Sequence, residues 1–241
     1  MLFAQDGDGK RIKAMPAASA VCPLCFTEMI PKCGEIKVWH WAHRRKDCDG
    51  WSDGETEWHL FWKSLMPPEN VEVIIERDGI KHRADIVTRS GMVVELQHSS
   101  MSVDEIAERE QFYGNMAWLF DVRRQAGKRL ETIRLMQGGL VQEMQLELFP
   151  VSDPTGKPWF WLDDFLKQPN PRRLETTRTI RWYWPLNYVL SAQKPRYLDL
   201  GDERLLRLMS YKAYFNRGWG YFGHQKEFTD WLTANGGSGP C

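Results

Sequence analysis

The sequence predicts an α/β fold with a mixed sheet, an N-terminal Cys/His-rich module and a C-terminal extension rich in aromatic residues. Between positions 55 and 122, apolar spacing gives the order helix, strand, strand pair, helix, strand, which is typical of α/β cores. Four of the five cysteines precede residue 50, and aromatic strands follow residue 150. We therefore expect three parts, 1–50, 51–150 and 151–241.

The composition excludes some classes of protein. The formal net charge is zero, with 32 basic and 32 acidic residues, so a nucleic-acid-binding surface has to be a local basic patch. Five cysteines in 241 residues fit no secreted disulfide scaffold, and close cysteine spacing in a reducing compartment indicates metal binding or chemistry. No apolar run reaches transmembrane length, and residues 1–11 carry acids where a secretory signal is basic and then apolar. We expect a cytoplasmic protein with no membrane partner.

The elements are predicted from periodicity and turn signals. Apolar residues recur at helical spacing from Trp58 to Leu65, and Pro67 ends that helix. The polar turn Thr88–Gly91 between two apolar runs predicts a hairpin, and Ser102 with Glu105 predicts a helix start. The predicted elements, in chain order, are a hairpin over 1–20, a helix over 55–65, a strand over 71–75, the hairpin strands Ala84–Val87 and Met92–Leu96, a helix over 103–113, a strand over 116–122, a helix over 128–137, aromatic strands over 159–161 and 181–184, an apolar segment over 198–208, a helix over 226–232 and a disordered tail over 236–241.

A Cys/His pattern predicts a structural zinc site in the N-terminal module. Cys22 and Cys25 form a C-P-L-C turn, and His40 and His43 form H-W-A-H. Two thiolates and two imidazoles can close a tetrahedral site, and the 14 residues between the pairs favour a zinc-ribbon-like or treble-clef-like module over a ββα finger. Two further cysteines keep a Cys₃His or Cys₄ site open, namely Cys33 and Cys48.

The predicted hairpin carries acidic residues in apolar strands. Asp85 lies in the first strand, Glu95 lies near the end of the second, and Gln97 follows two residues later. A buried carboxylate is costly unless it is paired, and Glu95 and Gln97 point to the same face because strand side chains alternate. Hard divalent cations prefer carboxylate and carbonyl oxygens, so the pattern predicts a cation site. The alternative is an ordinary hairpin with solvated charges.

The order and spacing of these motifs resemble those of a known family. After C-x-x-C and H-W-A-H come E-x-H-x-x-x-K at Glu57–Lys63, R-A-D at Arg83–Asp85, V-E-L-Q-H-S at Val94–Ser99 and R-x-x-x-Y at Arg109–Tyr113. This pattern, over about residues 1–125, resembles the competence protein CoiA-like family, which belongs to the PD-(D/E)XK nuclease superfamily.

The resemblance implies a restriction-endonuclease-like mixed-sheet core that cleaves DNA with Mg²⁺ or Mn²⁺. It implies that Asp85 and Glu95 hold this ion, together with the backbone carbonyl of Leu96. Glu57, on the first core helix, matches an accessory acidic position. The implied catalytic residues are Glu57, Asp85, Glu95 and Gln97.

Gln97 departs from the superfamily pattern, which has lysine at this position. A lysine can position the attacking water and stabilise developing negative charge, whereas glutamine can orient water but carries no charge. Other cations of the chain could supply that charge; the candidates are Lys63, Lys81, His82 and His98.

DNA is the expected partner of this protein. The resemblance implies that Arg109 and Tyr113 lie near the phosphate. Arg44, Arg45 and Lys46 form a basic cluster beside the predicted zinc ligands, and phosphate binding by such a cluster weakens steeply with salt. Further candidates, for which a solvated face or core packing is the alternative, are Arg123-Arg124, Lys128-Arg129, Arg172-Arg173 and the aromatic run Trp182–Trp184.

Three functions are compatible with the sequence. The first is a metal-dependent DNA endonuclease in DNA uptake, recombination or mobile-element processing. The second is a catalytically weak or inactive nuclease-fold protein that binds DNA, and the third is a zinc-stabilised protein-interaction module. A homo-oligomer, or a partner protein from recombination or mobile elements, is compatible with each of them.

Overall fold

The computed structural model describes residues 1–45, 48–51, 54–134 and 177–234. The chain divides into two compact units. The first contains residues 1–119 and the end of the C-terminal helix, and the second contains the described residues between Phe120 and Phe228. No helix in the described ranges is long and apolar enough to cross a membrane. Some predictions lie outside the described residues, namely those for Lys46, residues 159–161, Arg172-Arg173 and residues 236–241.

The N-terminal module is built from two short antiparallel strand pairs. Strands β1 (Phe3–Gln5) and β2 (Arg11–Lys13) form the hairpin that the sequence predicts. Strands β3 (Ile30–Lys32) and β4 (His40–Ala42) form the second pair, which the sequence analysis did not find. The buried indole of Trp41 lies at the centre of this module, so the small core depends on one large aromatic side chain.

Helix α1 (Glu57–Ser64) begins the next part of the first unit, close to the predicted bounds. Thr56 caps its N-terminus and forms a capping box with His59, which satisfies amide groups that the first turn leaves free. Strand β5 (Val71–Arg77) follows a short 3₁₀ turn, and its residue Glu72 has a left-handed φ of 53°. This backbone conformation is rare for glutamate, which indicates that surrounding contacts hold it in place.

The sheet of this unit contains four strands, and a helix connects the last two of them. Its strand order is β5-β6-β7-β8, and β5 pairs with β6 and β6 with β7 in antiparallel register. The bounds are β6 Ile80–Val87, β7 Val93–Gln97, helix α2 Val103–Tyr113 and β8 Met116–Asp121. Helix α2 connects β7 to β8, which is the connection that parallel neighbouring strands need. The prediction of an α/β fold with a mixed sheet is confirmed.

Ser102 and Gly114 set the two ends of α2. The hydroxyl of Ser102 accepts a hydrogen bond from the backbone N–H of Glu105, as the sequence predicts. Gly114 ends the helix with φ of 67°, a conformation that glycine adopts without steric cost. The helix therefore starts and stops at positions that its own residues specify.

The second unit consists mainly of antiparallel strands. Its strand order is β11-β12-β13-β10-β9. The bounds are β9 Leu130–Arg134, β10 Thr177–Trp182, helix α3 Asn187–Ser191, β11 Arg196–Gly201, β12 Arg204–Lys212, β13 Arg217–His224 and helix α4 Gln225–Ala234. The predicted strand around Trp182 and the predicted C-terminal helix are confirmed.

Two predictions fail in this unit. The predicted helix over 128–137 is wrong for the described residues Leu130–Arg134, because β9 pairs with β10 along its whole length and β-branched residues such as Thr132 favour strands. Strand β13 was not predicted, because glycines interrupt its apolar pattern. Gly220 is required there, since an added Cβ would lie 2.3 Å from the carbonyl oxygen of Arg207 on the neighbouring strand.

Candidate functional site

Two carboxylates face each other across the β6–β7 pair. The register pairs Ile86 with Val94, so the next position places Asp85 opposite Glu95. The backbone N–H of Leu96 donates to Asp85 Oδ2 over 3.0 Å, and the N–H of Asp85 donates to Glu95 Oε1 over 3.3 Å. Opposite residues in an antiparallel pair share a face, so the strand pairing itself brings the two acids together.

A polar pocket of the first unit lies over this pair of acids. Five predicted site residues line it, namely Asp85, Glu95, Gln97, Arg109 and Tyr113. Lys63, which the sequence analysis kept as a source of positive charge, also lines it. The helices and strands that the sequence predicts thus converge on one concave site.

Glu95 is the more deeply buried of the two acids, with 4% of its side chain exposed against 18% for Asp85. Burial and the neighbouring charge of Asp85 raise the pKa of Glu95 to about 7, although Arg109 opposes this shift. Arg109 Nη1 donates to Glu95 Oε2 over 3.0 Å. A bound cation would stabilise the ionised form of such a carboxyl group.

Arg109 reaches the pocket from α2 and is itself buried. Its Nη2 donates to Glu105 Oε1 over 2.6 Å and to the carbonyl oxygen of Trp51 over 2.7 Å. Its Nε is buried and has no hydrogen-bond partner among the described residues. Buried donors are normally satisfied, so this N–H is an exception in the part of the chain that the structure describes.

Lys63, in the last turn of α1, places a buried ammonium beside Asp85. Its Nζ lies 2.8 Å from Asp85 Oδ1 and 3.4 Å from Glu72 Oε1, and it also bonds Glu55. Burial lowers the pKa of Lys63, but the three carboxylates outweigh burial and raise the pKa above its ordinary value. Burial raises the pKa of Asp85, but Lys63 and His59 together bring it below the ordinary value. Asp85 is therefore ionised at neutral pH.

The structure does not bring Glu57 to the pocket. Glu57 is the first residue of α1, its side chain is exposed, and it does not line the pocket. Glu55, two residues earlier, lines the pocket instead and binds Lys63. The motif spacing could not distinguish Glu55 from Glu57, because the two acids lie two positions apart near the start of α1.

Gln97 is buried at the end of β7. Its Nε2 donates to the backbone carbonyl of Ser99 over 2.8 Å, and this contact turns the amide nitrogen toward the loop after the strand. The carbonyl oxygen of Leu96, which was predicted as a metal ligand, lies 3.0 Å from His59 Nε2. Both predicted groups line the pocket, and each already has a protein partner.

Tyr113 is buried one turn along α2 from Arg109. Its ring lies edge-on to that of Trp51, with ring centroids 5.8 Å apart. Burial raises the pKa of Tyr113, and the nearby charges of Glu95 and Asp85 raise it further. The phenol therefore stays protonated at neutral pH and can donate a hydrogen bond.

A short segment that the sequence analysis missed lines another side of the pocket; we call residues 48–51 the strap. The carboxylate of Asp49 contacts His82 Nδ1 over 2.9 Å and accepts a hydrogen bond over 2.8 Å from the N–H of the next residue in β6. The indole of Trp51 stacks on His82, with ring centroids 3.3 Å apart, and its carbonyl holds Arg109. The strap thus fixes both β6 and the arginine that binds Glu95.

The first residue of the strap, Cys48, belongs to a Cys₃His cluster. The ligand atoms of Cys22, Cys25, His43 and Cys48 lie within 4.8 Å of one another and could hold a zinc ion. The sulfurs of Cys22 and Cys48 are 3.7 Å apart. Tetrahedral coordination with Zn–S bonds of about 2.3 Å requires sulfurs about 3.8 Å apart, so the geometry fits.

The structure does not bring His40 into this cluster. His40 precedes the core residue Trp41 in β4, and neighbouring strand residues point to opposite faces, so His40 turns away from the module's interior. Its Nδ1 lies 2.8 Å from the carbonyl oxygen of Val38. Cys48, one of the two cysteines that were kept as alternatives, takes its place in the cluster.

The thiols of the cluster differ in acidity. Burial raises the pKa of Cys25, but hydrogen bonds from Thr27 and His43 outweigh it and bring the pKa to about 6. Burial raises the pKa of Cys22 and of Cys48. Cys25 is therefore mainly thiolate at neutral pH, while the other two thiols have to release protons when a metal binds.

Two predicted DNA-binding residues lie beside this cluster. Arg44 and Arg45 are exposed and line a cavity together with Cys25, His43 and Cys48. Their charges are therefore available to an anionic partner on the surface next to the metal ligands.

In the aromatic run Trp182–Trp184 of the second unit, one tryptophan is buried and the other is exposed. Trp182 is buried, and its Nε1 donates to Gln125 over 2.6 Å, so this indole is not a stacking surface. Trp184 is 76% exposed, and the guanidinium of Arg129 lies 5.6 Å from its ring centroid. Arg123 is paired with the carboxylate two residues before it.

The N-terminal segment matches a known family. Residues 6–50 fit the family model described as the competence protein CoiA, N-terminal domain. The predicted CoiA-like relationship is confirmed over this segment, and all four residues of the Cys₃His cluster lie within the matched residues. No curated protein and no solved structure matches the chain.

Proposed function

We propose that the protein is a Mg²⁺- or Mn²⁺-dependent nuclease that hydrolyses phosphodiester bonds in DNA with a restriction-endonuclease-like core. The Asp85–Glu95 pair carries this proposal, because two carboxylates on opposite strands share one polar pocket and one of them has a pKa of about 7. The element order from α1 to β8 is compatible with it, since it is the α/β order that the sequence predicts.

The donor set fits a hard divalent cation. Mg²⁺ is commonly bound by one or two carboxylates and keeps several waters, and the pocket offers two carboxylates within one strand pair. When bound, such an ion polarises a phosphoryl oxygen and lowers the pKa of a water. The two acids that we assign to the ion are Asp85 and Glu95.

The other residues of the pocket position these acids and the substrate. Arg109 holds Glu95 through Nη1, and its positive charge lies in the pocket lining, where it would attract a phosphate. In the reaction, a water oxygen forms a bond to phosphorus and the bond from phosphorus to the leaving sugar oxygen breaks. The proton of the water passes to solvent, and the leaving oxygen takes a proton from solvent.

We infer that the Cys₃His cluster of the CoiA domain binds a structural zinc ion. Four protein ligands leave no open position for chemistry, which favours a structural role. Arg44 and Arg45 then present their charges on a rigid surface, where they would bind DNA phosphates in a salt-dependent manner.

The matched domain family is named for competence proteins. We therefore propose that the DNA is handled during DNA uptake, with recombination and mobile-element processing as related settings. The pocket itself is compatible with each of these, because phosphodiester chemistry is the same in all three.

A catalytically inactive DNA-binding protein is the second candidate, and one observation favours it. Lys63 already pairs with Asp85, and Arg109 already pairs with Glu95, so both acids have a resident cation without a metal. Such a protein would bind DNA through its basic surface but would not bind Mn²⁺ at the acidic pair.

Cleavage of plasmid and single-stranded DNA, with Mg²⁺ or Mn²⁺, tests the proposed function. The wild type is expected to cut with either ion, and Glu95→Gln is expected to abolish cutting while retaining DNA binding, because the amide keeps the shape but loses the charge. DNA binding without cutting by the wild type would favour the second candidate. Undiminished cutting by Glu95→Gln would contradict the assignment of the site.

Metal affinity is expected to depend on pH through Glu95. Its pKa of about 7 means that a bound ion competes with a proton below that pH, while Asp85 stays ionised. Mn²⁺ affinity should therefore fall about tenfold for each pH unit below 7 and level off above it. Calorimetric titration of the protein with Mn²⁺ between pH 5.5 and 8.5 measures this, and an affinity that is constant across the range would contradict it.

A further inference from the structure

An ammonium group lies in the pocket, although the β7 position expected for lysine holds Gln97. We propose that Lys63, from the last turn of α1, supplies the positive charge that the site uses in phosphodiester hydrolysis. This inference rests on the proposed nuclease function and adds one catalytic residue to it.

The structure distinguishes Lys63 from the other three residues that the sequence offers as sources of positive charge. Lys81 is 51% exposed and paired with Glu76 over 3.2 Å. His82 contacts Asp49 and is covered by a stacked indole, and His98 lies against aromatic rings of α1. Of these four described side chains, Lys63 alone lines the pocket.

The position of Lys63 gives its charge a large effect. Its Nζ lies 2.8 Å from Asp85 Oδ1, and only 3% of its side chain is exposed to solvent. Charges interact more strongly where water is excluded, and a preorganised charge does not have to reorganise during the reaction. A phosphate or water held at Asp85 would therefore lie next to the ammonium.

Two further carboxylates keep the ammonium in place. Glu55 and Glu72 both contact Lys63, and Glu72 in turn accepts hydrogen bonds from the backbone N–H groups of Leu2 and Phe3 over 2.8 Å and 3.1 Å. These contacts tie the lysine to α1, β5 and the N-terminal strand. The remaining contact, to Asp85, directs the lysine toward the reacting groups.

The chemical role follows from this geometry. As the water oxygen bonds to phosphorus and the bond to the leaving oxygen breaks, negative charge grows on the non-bridging phosphoryl oxygens. Lys63 donates a hydrogen bond to one of these oxygens with the N–H that otherwise makes its longest contact, 3.4 Å to Glu72, and it keeps its proton throughout. It therefore acts on the rate of the chemical step more than on substrate binding.

The first test compares Lys63→Gln with Lys81→Gln, which is the same substitution at an exposed lysine outside the pocket. Lys63→Gln should lower kcat for DNA cleavage by about 100-fold with KM nearly unchanged, whereas Lys81→Gln should stay within about twofold. Mn²⁺ binding by Lys63→Gln should be kept or tightened, because a positive neighbour of Asp85 has been removed. Cleavage by Lys63→Gln at the wild-type rate would overturn the proposal.

The second test moves the charge to the position of Gln97. The double variant Lys63→Gln/Gln97→Lys should cleave DNA at least about tenfold faster than Lys63→Gln. A purely structural lysine would not allow this rescue. Gln97→Lys alone, which keeps the Lys63 network intact, should not raise the rate, because the site already has its ammonium. A gain of about 100-fold from Gln97→Lys alone would show that the charge had been missing, and would overturn the proposal.

Thermal unfolding of each variant separates folding from chemistry. If Lys63→Gln loses cleavage, Mn²⁺ binding and its folded structure together, and the double variant restores none of them, Lys63 has a structural role and the proposal is overturned. If the wild type cuts and Lys63→Gln cuts equally well, this inference fails alone. If the wild type does not cut, the inference fails together with the proposed function.

Discussion

Asp85→Asn is expected to lower metal-dependent DNA cleavage by about 10³-fold. Asp85 is ionised, faces Glu95 across the strand pair and holds Lys63, so the amide removes a metal ligand and a partner of the ammonium at once. A catalytic metal ion contributes several kcal/mol to transition-state stabilisation, and about 1.4 kcal/mol corresponds to a factor of ten. Initial rates of plasmid nicking at saturating Mn²⁺ measure the effect.

Glu57→Gln is the matched control, because it makes the same kind of change at the acid that motif spacing assigned to the site. Glu57 is exposed and does not line the pocket, so its variant should cut within about twofold of the wild type. Equal losses in the two variants would restore Glu57 to the site and contradict the geometry described here. Retained cutting by Asp85→Asn would remove Asp85 from the proposed mechanism.

The sequence predicts the parts of the site that depend on strand and helix periodicity. Asp85 and Glu95 meet because a short turn fixes the register of two strands, and both the turn and the alternation are visible in the sequence. Arg109 and Tyr113 reach the same pocket because they lie four positions apart on one helix face, and the N-cap at Ser102 sets where that helix starts.

The remaining parts depend on irregular backbone that periodicity does not describe. The choice of Glu55 over Glu57 is made by residues just before α1, where no repeat sets side-chain direction. The choice of Cys48 over His40 is made by β4, whose core tryptophan forces the preceding histidine to the other face. The strap carries no apolar pattern, and only its position beside a cysteine of the cluster could have drawn attention to it.

Removal of zinc is expected to unfold the N-terminal module and also to weaken the acidic pocket. A structural zinc ion contributes about 10 kcal/mol or more to the folding of small domains, while this module has a small core around Trp41. Cys48→Ser should therefore lower zinc affinity by at least about 100-fold, whereas Cys33→Ser and His40→Ala should keep one zinc per chain, because neither residue belongs to the cluster. Metal analysis after dialysis, with limited proteolysis of the module, measures both effects. Loss of zinc from His40→Ala with zinc retained in Cys48→Ser would reverse the ligand assignment.

The effect on the pocket follows from the strap. Cys48 is its first residue, Asp49 holds β6, and the carbonyl of Trp51 holds Arg109, which in turn binds Glu95. Release of Cys48 removes the anchor at one end of this chain of contacts, so Arg109 loses a hydrogen bond and Glu95 loses its fixed partner. Supporting contacts around metal ligands typically change metal affinity by about 10- to 100-fold, so Mn²⁺ affinity at the acidic pair should fall by about tenfold in Cys48→Ser and stay unchanged in Cys33→Ser. Equal Mn²⁺ affinity in the two serine variants would mean that the strap holds the pocket without help from the Cys₃His cluster.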